Sequence, residues 1–293
     1  MTTTTTTSRL LKSSAKHSYD PEVDIDWDAP LMDGLYFAPP ERLSLFGTPM
    51  WDSLTEDQRI ELSKHEICSI ASVGLWFEII LMQMMLRDLY DQDARTEKAQ
   101  YTLTEIGDEC RHSIMFGKMV DRFGVRPYGA QPQVHRLGRM FKAVGGGVSG
   151  YASILVAEEI LDRLQRESAR DERVQPLSRM VCRIHVTEEA RHMTFAREQV
   201  EQMVPALSAK MLALHQVVTA QACFMVARSL VHPDVYAAVG LDPREARRQA
   251  LGNPHYQETM AWAGERVLSF LTEHGLVPTW QHRTWRRSLL MPQ

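Results

Sequence analysis

An all-α helical bundle is the fold class this sequence predicts, on three observations. No stretch alternates apolar and polar residues over the length of a strand, and no hairpin dipeptide stands between β-branched runs. Apolar residues recur instead at three- and four-residue spacing over long segments, with GVRPYGAQP, VGGGVSG and VHPDV as punctuation. The third observation is a helical Glu-x-x-His motif that occurs twice.

The helical segments follow in order. Residues 1–40 predict a flexible tail and arm: a polar, Thr-rich start without the apolar core of a signal peptide, then a Pro-, Asp- and Gly-rich stretch (DAPLMDGLYFAPP). Residues 41–293 predict one domain. Its first helix starts at the capping box Thr55-Glu56-Asp57-Gln58 and runs to about Asp88. Further helices are expected near Asp93–Phe123, Gly150–Arg170, Asp171–Met203 and Leu207–Val231, with a shorter one at Val134–Val144. Two more, Asp242–Leu251 and His255–Glu273, precede Gly275 and Pro278.

Composition excludes several classes. The 293 residues carry a net charge of −4 with no run of Lys or Arg, which argues against a nucleic-acid binder. The four cysteines, Cys68, Cys110, Cys182 and Cys223, form no C-x-x-C pair, so no zinc ribbon or dithiol redox site is indicated. Ile67–Leu86 has the length of a membrane span but carries Glu78 near its centre, which lipid disfavours. A buried helix in a cytoplasmic protein is the better expectation, and Glu78 then requires an explanation.

The explanation lies in an internal echo. Asp108-Glu109-Cys110-Arg111-His112 and Glu188-Glu189-Ala190-Arg191-His192 share the pattern acid-Glu-x-Arg-His at a shift of 80. With 21 Glu and 11 His in the chain, fewer than one Glu-x-x-His pair is expected by chance. Stepping back 31 residues from Glu109 and Glu189 reaches Glu78 and Glu158, so the same shift relates three pairs of residues. A lone Glu from each of two helices plus Glu-x-x-His from each of two others is the ligand pattern of ferritin-like dinuclear carboxylate proteins. Helix phase selects Glu158, flanked by Ile154, Leu155 and Leu161, over Glu159, which falls nearer the polar face. Four inward carboxylates repel one another and are costly to desolvate, whereas two divalent cations balance them. An oxygen-rich set with a few imidazoles suits iron, with manganese the alternative, better than zinc.

The echo breaks at His185, which shares a face with Glu189 and His192 and whose counterpart is Glu105. A third imidazole makes the two ion positions unlike. Glu105 is left open as an extra ligand, an acceptor for an imidazole N–H, or a solvent-facing residue. Arg111 and Arg191 are expected to pair with Asp108 or Glu188. Met82, Met84 and Met85 are core filler or the wall of a substrate channel. Gly145-Gly146-Gly147 reads as a loop before a helix, and Arg283, Arg286 and Arg287 among Trp280 and Trp285 as a solvated terminal segment.

At these residues the sequence resembles the diiron oxygenases typified by p-aminobenzoate N-oxygenase of antibiotic biosynthesis. The resemblance runs from about Leu43 to Leu290 through LSLFGTPMWDSLT, VGLWFEIILMQMM, DECRHSIMF, VAEEILDRLQRE and HVTEEARHMTFAREQV. Its most specific mark is His-x-x-x-Glu-x-x-His at His185, Glu189 and His192. The resemblance implies a ferritin-like, ribonucleotide-reductase-like bundle with additional C-terminal helices. It also implies two iron ions on Glu78, Glu109, His112, Glu158, His185, Glu189 and His192, a homodimer, and oxidation of an amine nitrogen with O2. No further catalytic residue and no nicotinamide or flavin fingerprint is apparent, so electrons come from an external donor such as a ferredoxin. No nucleic-acid or membrane partner is expected.

The substrate is less constrained. Ile67–Met85 contains no basic residue to hold a carboxylate, and Arg163 and Lys142 are the candidates elsewhere. That leaves room for a neutral, apolar or carrier-bound amine. The competing readings are a hydroxylase or desaturase acting on a C–H bond, and an iron-storage protein without substrate turnover.

Overall fold

The computed structural model describes residues 5–292, apart from the side chains of Gln133, Ala143 and Val144. Its helices in chain order are α1 (Thr6–Ser14), α2 (Pro21–Asp24), α3 (Pro49–Ser53), α4 (Glu56–Leu89), α5 (Glu97–Arg122) and α6 (Pro132–Val144). There follow α7 (Gly147–Ser168), α8 (Pro176–Met203), α9 (Ala209–Ser229), α10 (Pro243–Gly252), α11 (Pro254–Glu273) and α12 (His282–Arg287). Among the described residues the only β-pairing is an isolated bridge between Tyr36 and Val174. All-α is therefore the class.

The helix starts are written locally. The Thr55 hydroxyl accepts from the Gln58 N–H at 3.3 Å while the Gln58 side chain accepts from the Thr55 N–H at 3.0 Å, which completes the expected capping box of α4. Thr96, Ser208, Asp242 and Asn253 cap α5, α9, α10 and α11 in the same manner. Gly147 opens α7 at φ +55°, a conformation that suits glycine.

Short connections fold α4 against α5 and α7 against α8, the two most extensive helix pairings. The α9 and α11 helices cover α7, and Pro233–Val239, a 3-10 segment, covers α4. Two apolar clusters result. One joins α7, α9 and α11 to the C-terminus through Leu155, Ile160, Val267 and Trp285. The other joins the N-terminal arm to α4, α5 and α8 through Phe37, Leu62, Met115 and Ile184. Glu78, Glu109 and Glu189 fall in sequence between residues of the two clusters, so their helices carry them where the clusters meet.

Two helical stretches, Glu56–Leu89 and Ala209–Val239, are long and apolar enough to cross a membrane by length and composition alone. In α4, Glu78 is buried against other chain elements, which gives its apolar surroundings a protein explanation.

Two expectations, for Trp285 and for Glu159, need correction. Of the tail and arm expected over residues 1–40, residues 1–4 lie outside the described residues and the rest carries α1 and α2. Leu10 of α1 packs with Tyr101 and Phe195, and Tyr36 and Phe37 join the same cluster as Leu62, so packing is continuous across residue 40. Few apolar anchors are spread through a polar stretch, and composition dilutes them. Trp285 is fully buried with Leu289 and Leu290 rather than solvated, because α12 packs on α9; Trp280 alone is exposed. Glu159, expected toward the polar face, is buried and paired with Arg197.

A buried acid remote from the echo makes a test. Glu66 of α4 accepts from the Ser44 N–H at 3.1 Å and the Ser44 hydroxyl at 2.5 Å, yet burial outweighs these bonds and pushes its carboxyl up to about 7. The folded state then holds a proton that the unfolded chain releases near 4.5, so this group's stabilisation is complete below 4.5 and is lost as pH rises to 7. Relative to the parent, Glu66→Gln should gain up to roughly 3 kcal/mol between pH 5 and pH 8, read from urea midpoints.

Candidate metal centre

Four helices supply the candidate ligands: Glu78 from α4, Glu109 and His112 from α5, Glu158 from α7, and His185, Glu189 and His192 from α8. All seven are buried, none above 3% exposed. Glu109 and Glu189 stand at the middle. His112 Nδ1 lies 3.1 Å from Glu109 Oε2 and 3.0 Å from Glu189 Oε1. His192 Nδ1 lies 3.1 Å from Glu109 Oε1 and 3.1 Å from Glu189 Oε1. His185 Nε2 faces Glu78 at 3.7 Å, Glu189 at 3.7 Å and Glu158 at 4.0 Å.

The six residues of the echo and the seventh group thus converge. Four overlapping trios place ligand atoms within 4.8 Å of one another: Glu78–His112–His185, Glu158–His185–Glu189, Glu109–His112–Glu189 and Glu105–Glu109–His192. Glu105 is therefore not solvent-facing; it is 1% exposed and stands beside His192.

The second nitrogen of each imidazole is anchored, and here the sequence reading missed a device. His112 Nε2 meets Glu188 of the opposite repeat at 2.9 Å, and His192 Nε2 meets Asp108 of the opposite repeat at 3.2 Å. Each repeat's leading acid orients the other repeat's histidine. The acid at that position in both repeats was the available signal, but it points equally to the Arg three residues later. That pairing exists too: Arg111 binds Asp108, while Arg191 lies 3.1 Å from Asp108 and 3.5 Å from Glu188. His185 Nδ1 meets Gln165 Oε1 at 2.7 Å, a contact no repeat announces. The N-terminal segment closes the shell, as Arg111 donates to Ser18, Arg191 to the His17 carbonyl, and the Tyr19 N–H to Glu188.

Without cations, the charges sort themselves into opposites. Burial drives Glu78 and Glu158 well above the usual carboxylate range, and the neighbouring carboxylates drive them further. Burial also raises Glu105, to about 8. For Glu109 and Glu189 burial acts in the same direction, but the charge on His192 and the imidazole hydrogen bonds outweigh it; Glu189 falls to about 2. His112 and His192 rise well above their ordinary value despite burial, because carboxylates surround them. Burial lowers His185 to about 4. Two imidazoliums thus face two carboxylates, and the remaining groups are neutral.

Glu158 also borders a small cavity, about 50 Å3, between α4, α6, α7 and α9, walled by Trp76, Phe77, Leu81, Met84, Ile154 and Val226. Of the three methionines singled out in α4, Met84 lines it, Met85 belongs to the core and Met82 touches Cys110. Gly138 lets α6 close over Trp76, since a Cβ there would come within 2.5 Å of the indole.

Asp108 holds three cations at once, so its removal strands buried Arg191 and His192. Asp108→Ala should destabilise the metal-free protein by roughly 3 kcal/mol, measured by urea unfolding.

Comparison with known proteins follows from this geometry. Curated relatives are uncharacterized proteins of Mycobacterium bovis and Mycobacterium tuberculosis, each 29% identical over 206 residues, 68% of this chain and 61% of theirs. The match thus spans less than two thirds of those relatives' length. Among solved structures, an R2-like ligand-binding oxidase with an aerobically reconstituted Mn/Fe cofactor aligns at a TM-score of 0.43 and 12% identity, over 98% of this chain and 92% of that one. A variant with an anaerobically reconstituted Mn/Fe cofactor aligns at 0.43 and 13%, over 97% and 91%. The family model described as p-aminobenzoate N-oxygenase AurF matches residues 1–275. Over nearly its whole length, this chain is a member of the AurF family.

Proposed function

We propose that the chain is an O2-dependent non-haem diiron oxygenase that oxidises the nitrogen of an arylamine to hydroxylamine, nitroso or nitro products in secondary metabolism. Its metal ligands are Glu78, Glu109, His112, Glu158, His185, Glu189 and His192. Family membership and the carboxylate–imidazole clusters support the coarser reading of a diiron oxidase. The observation that carries the metal is a set of buried atoms without a hydrogen-bond partner: Glu78 Oε2, Glu158 Oε2 and His185 Nε2. Buried polar atoms are rarely left so. Two divalent cations satisfy them and balance the four carboxylates.

Iron, with manganese the alternative, supplies the activation of O2. The chain supplies the rest. Glu109 and Glu189 sit centrally, each within hydrogen-bond distance of both His112 and His192, so these four residues would hold the cations together. Glu188, Asp108 and Gln165 fix the imidazole orientations from behind. The apolar wall beside Glu158 excludes water from the amine. Conversion of the amine to the hydroxylamine would consume one O2, two electrons from an external donor such as a ferredoxin and two protons from solvent, and would leave one water.

The protein acts in the cytoplasm as a homodimer in this reading. Exposed Ile79 and Leu86 of α4 and Leu103 and Ile114 of α5 form an apolar surface across the contact between Met82 and Cys110, which suits a second copy. Leu103→Glu with Ile114→Glu should halve the mass seen by light scattering.

The central test loads metal-free protein with Fe(II) in the absence of air. Two irons should bind per chain, releasing on the order of four protons as His112, His192, Glu78 and Glu158 give theirs up. Glu188→Ala should weaken metal affinity 10- to 100-fold through His112. Admission of O2 and a reductant with an arylamine should yield N-oxygenated product by mass spectrometry. Oxidation at carbon would move the assignment to a hydroxylase or desaturase, and a mineral core without product would move it to storage.

A further inference from the structure

We infer that the ligand of the cavity beside Glu158 is an uncharged, largely apolar arylamine, one without the carboxylate that p-aminobenzoate carries. The inference rests on the oxygenase reading for its chemistry, and on the cavity for its specificity.

Glu158 is the one ionisable residue among the described residues lining the cavity, and Trp76, Leu81, Met84, Phe141, Ile154 and Val226 form its apolar walls. No Lys, Arg or His lines it. The one hydroxyl there, Ser153, donates to the Ser149 carbonyl at 2.6 Å and is committed. The basic side chains that sequence left as candidates point to other partners. Arg163 lies over the Trp262 ring at 4.2 Å and pairs with Glu265, and Lys142 donates to Gln83 at 2.9 Å. A carboxylate entering this cavity gives up its water, meets no counter-charge and approaches a carboxyl group. An aromatic ring loses nothing among Trp76, Phe141 and Ile154, and an uncharged amine approaches Glu158 without burying a charge. The amine end therefore lies toward the metal ligands and the far end of the ring in the apolar part.

The test uses two ligands of one skeleton, methyl 4-aminobenzoate and 4-aminobenzoate, titrated into the full chain with and without iron. Quenching of Trp76 fluorescence and calorimetry report binding, with Trp76→Phe as the control for the optical signal. The ester should bind at least tenfold more tightly than the acid, in both metal states. Met225→Arg places a cation in the lining and should raise affinity for the acid tenfold or more. Equal or tighter binding of the acid to the parent, binding of neither ligand, or an unchanged preference in Met225→Arg overturns the inference. Ester binding without iron uptake leaves the cavity's specificity standing and removes the oxygenase reading; iron uptake without ester binding does the reverse.

Discussion

Four carboxylates pointed at one another inside a dry protein set the terms for everything else in this molecule. Such a group is tolerable only with positive charge in its midst. The chain provides it in one of two ways. As protons, the charge sits on His112 and His192 against Glu109 and Glu189, with Glu78 and Glu158 neutral. As two divalent cations, the filling the proposed function calls for, it would replace about four protons at no change in net charge. The fold therefore need not rearrange its electrostatics to exchange one filling for the other. It needs only to hold the ligand atoms within a few ångströms of each other, and the clusters at 4.8 Å or less do so.

That holding falls to long helices and to a charged frame outside the ligands. Every ligand lies well inside α4, α5, α7 or α8, where fraying ends cannot move it. Behind the imidazoles, Asp108 and Glu188 cross between repeats, so α5 and α8 each fix the other's histidine. Arg111 and Arg191 neutralise those acids and carry the connection outward to His17, Ser18 and Tyr19. The order of the N-terminal arm is thus tied to the same charges that order the centre.

The sequence carried the parts of this that are periodic. The existence of the long helices, the inward face of Glu78 and Glu158, and the converging repeats follow from spacing, because a helix converts spacing into direction, whereas the short helices α1, α2, α3 and α12 do not. It carried less of what depends on partners remote in sequence. Gln165 reaches His185 from another helix, with no repeat to mark it. Glu159 is on the polar side of its own helix, and its burial is offset by Arg197 of α8, which pairs with it, and by the charge of Arg266 of α11. Leu10 and Trp285 are single apolar anchors in polar surroundings, and what buries them is supplied by α5, α8 and α9. Periodicity is a property of one segment; burial is a property of pairs.

The repeat is also imperfect where function needs it to be. An exact two-fold centre would offer the same surroundings on either side, yet His185 on one side corresponds to Glu105 on the other. Glu105 stands with His192, on α5 and α8, where the acid–arginine frame and the N-terminal segment close the surface. His185 faces Glu78 and Glu158, and it is Glu158 that opens on the apolar cavity. Charge and packing are therefore divided between the two faces of one centre, with the polar face built to hold and the apolar face left to admit. In the proposed function, a reactant would reach this centre from the side of Glu158, where the described lining of the cavity carries no other charged side chain.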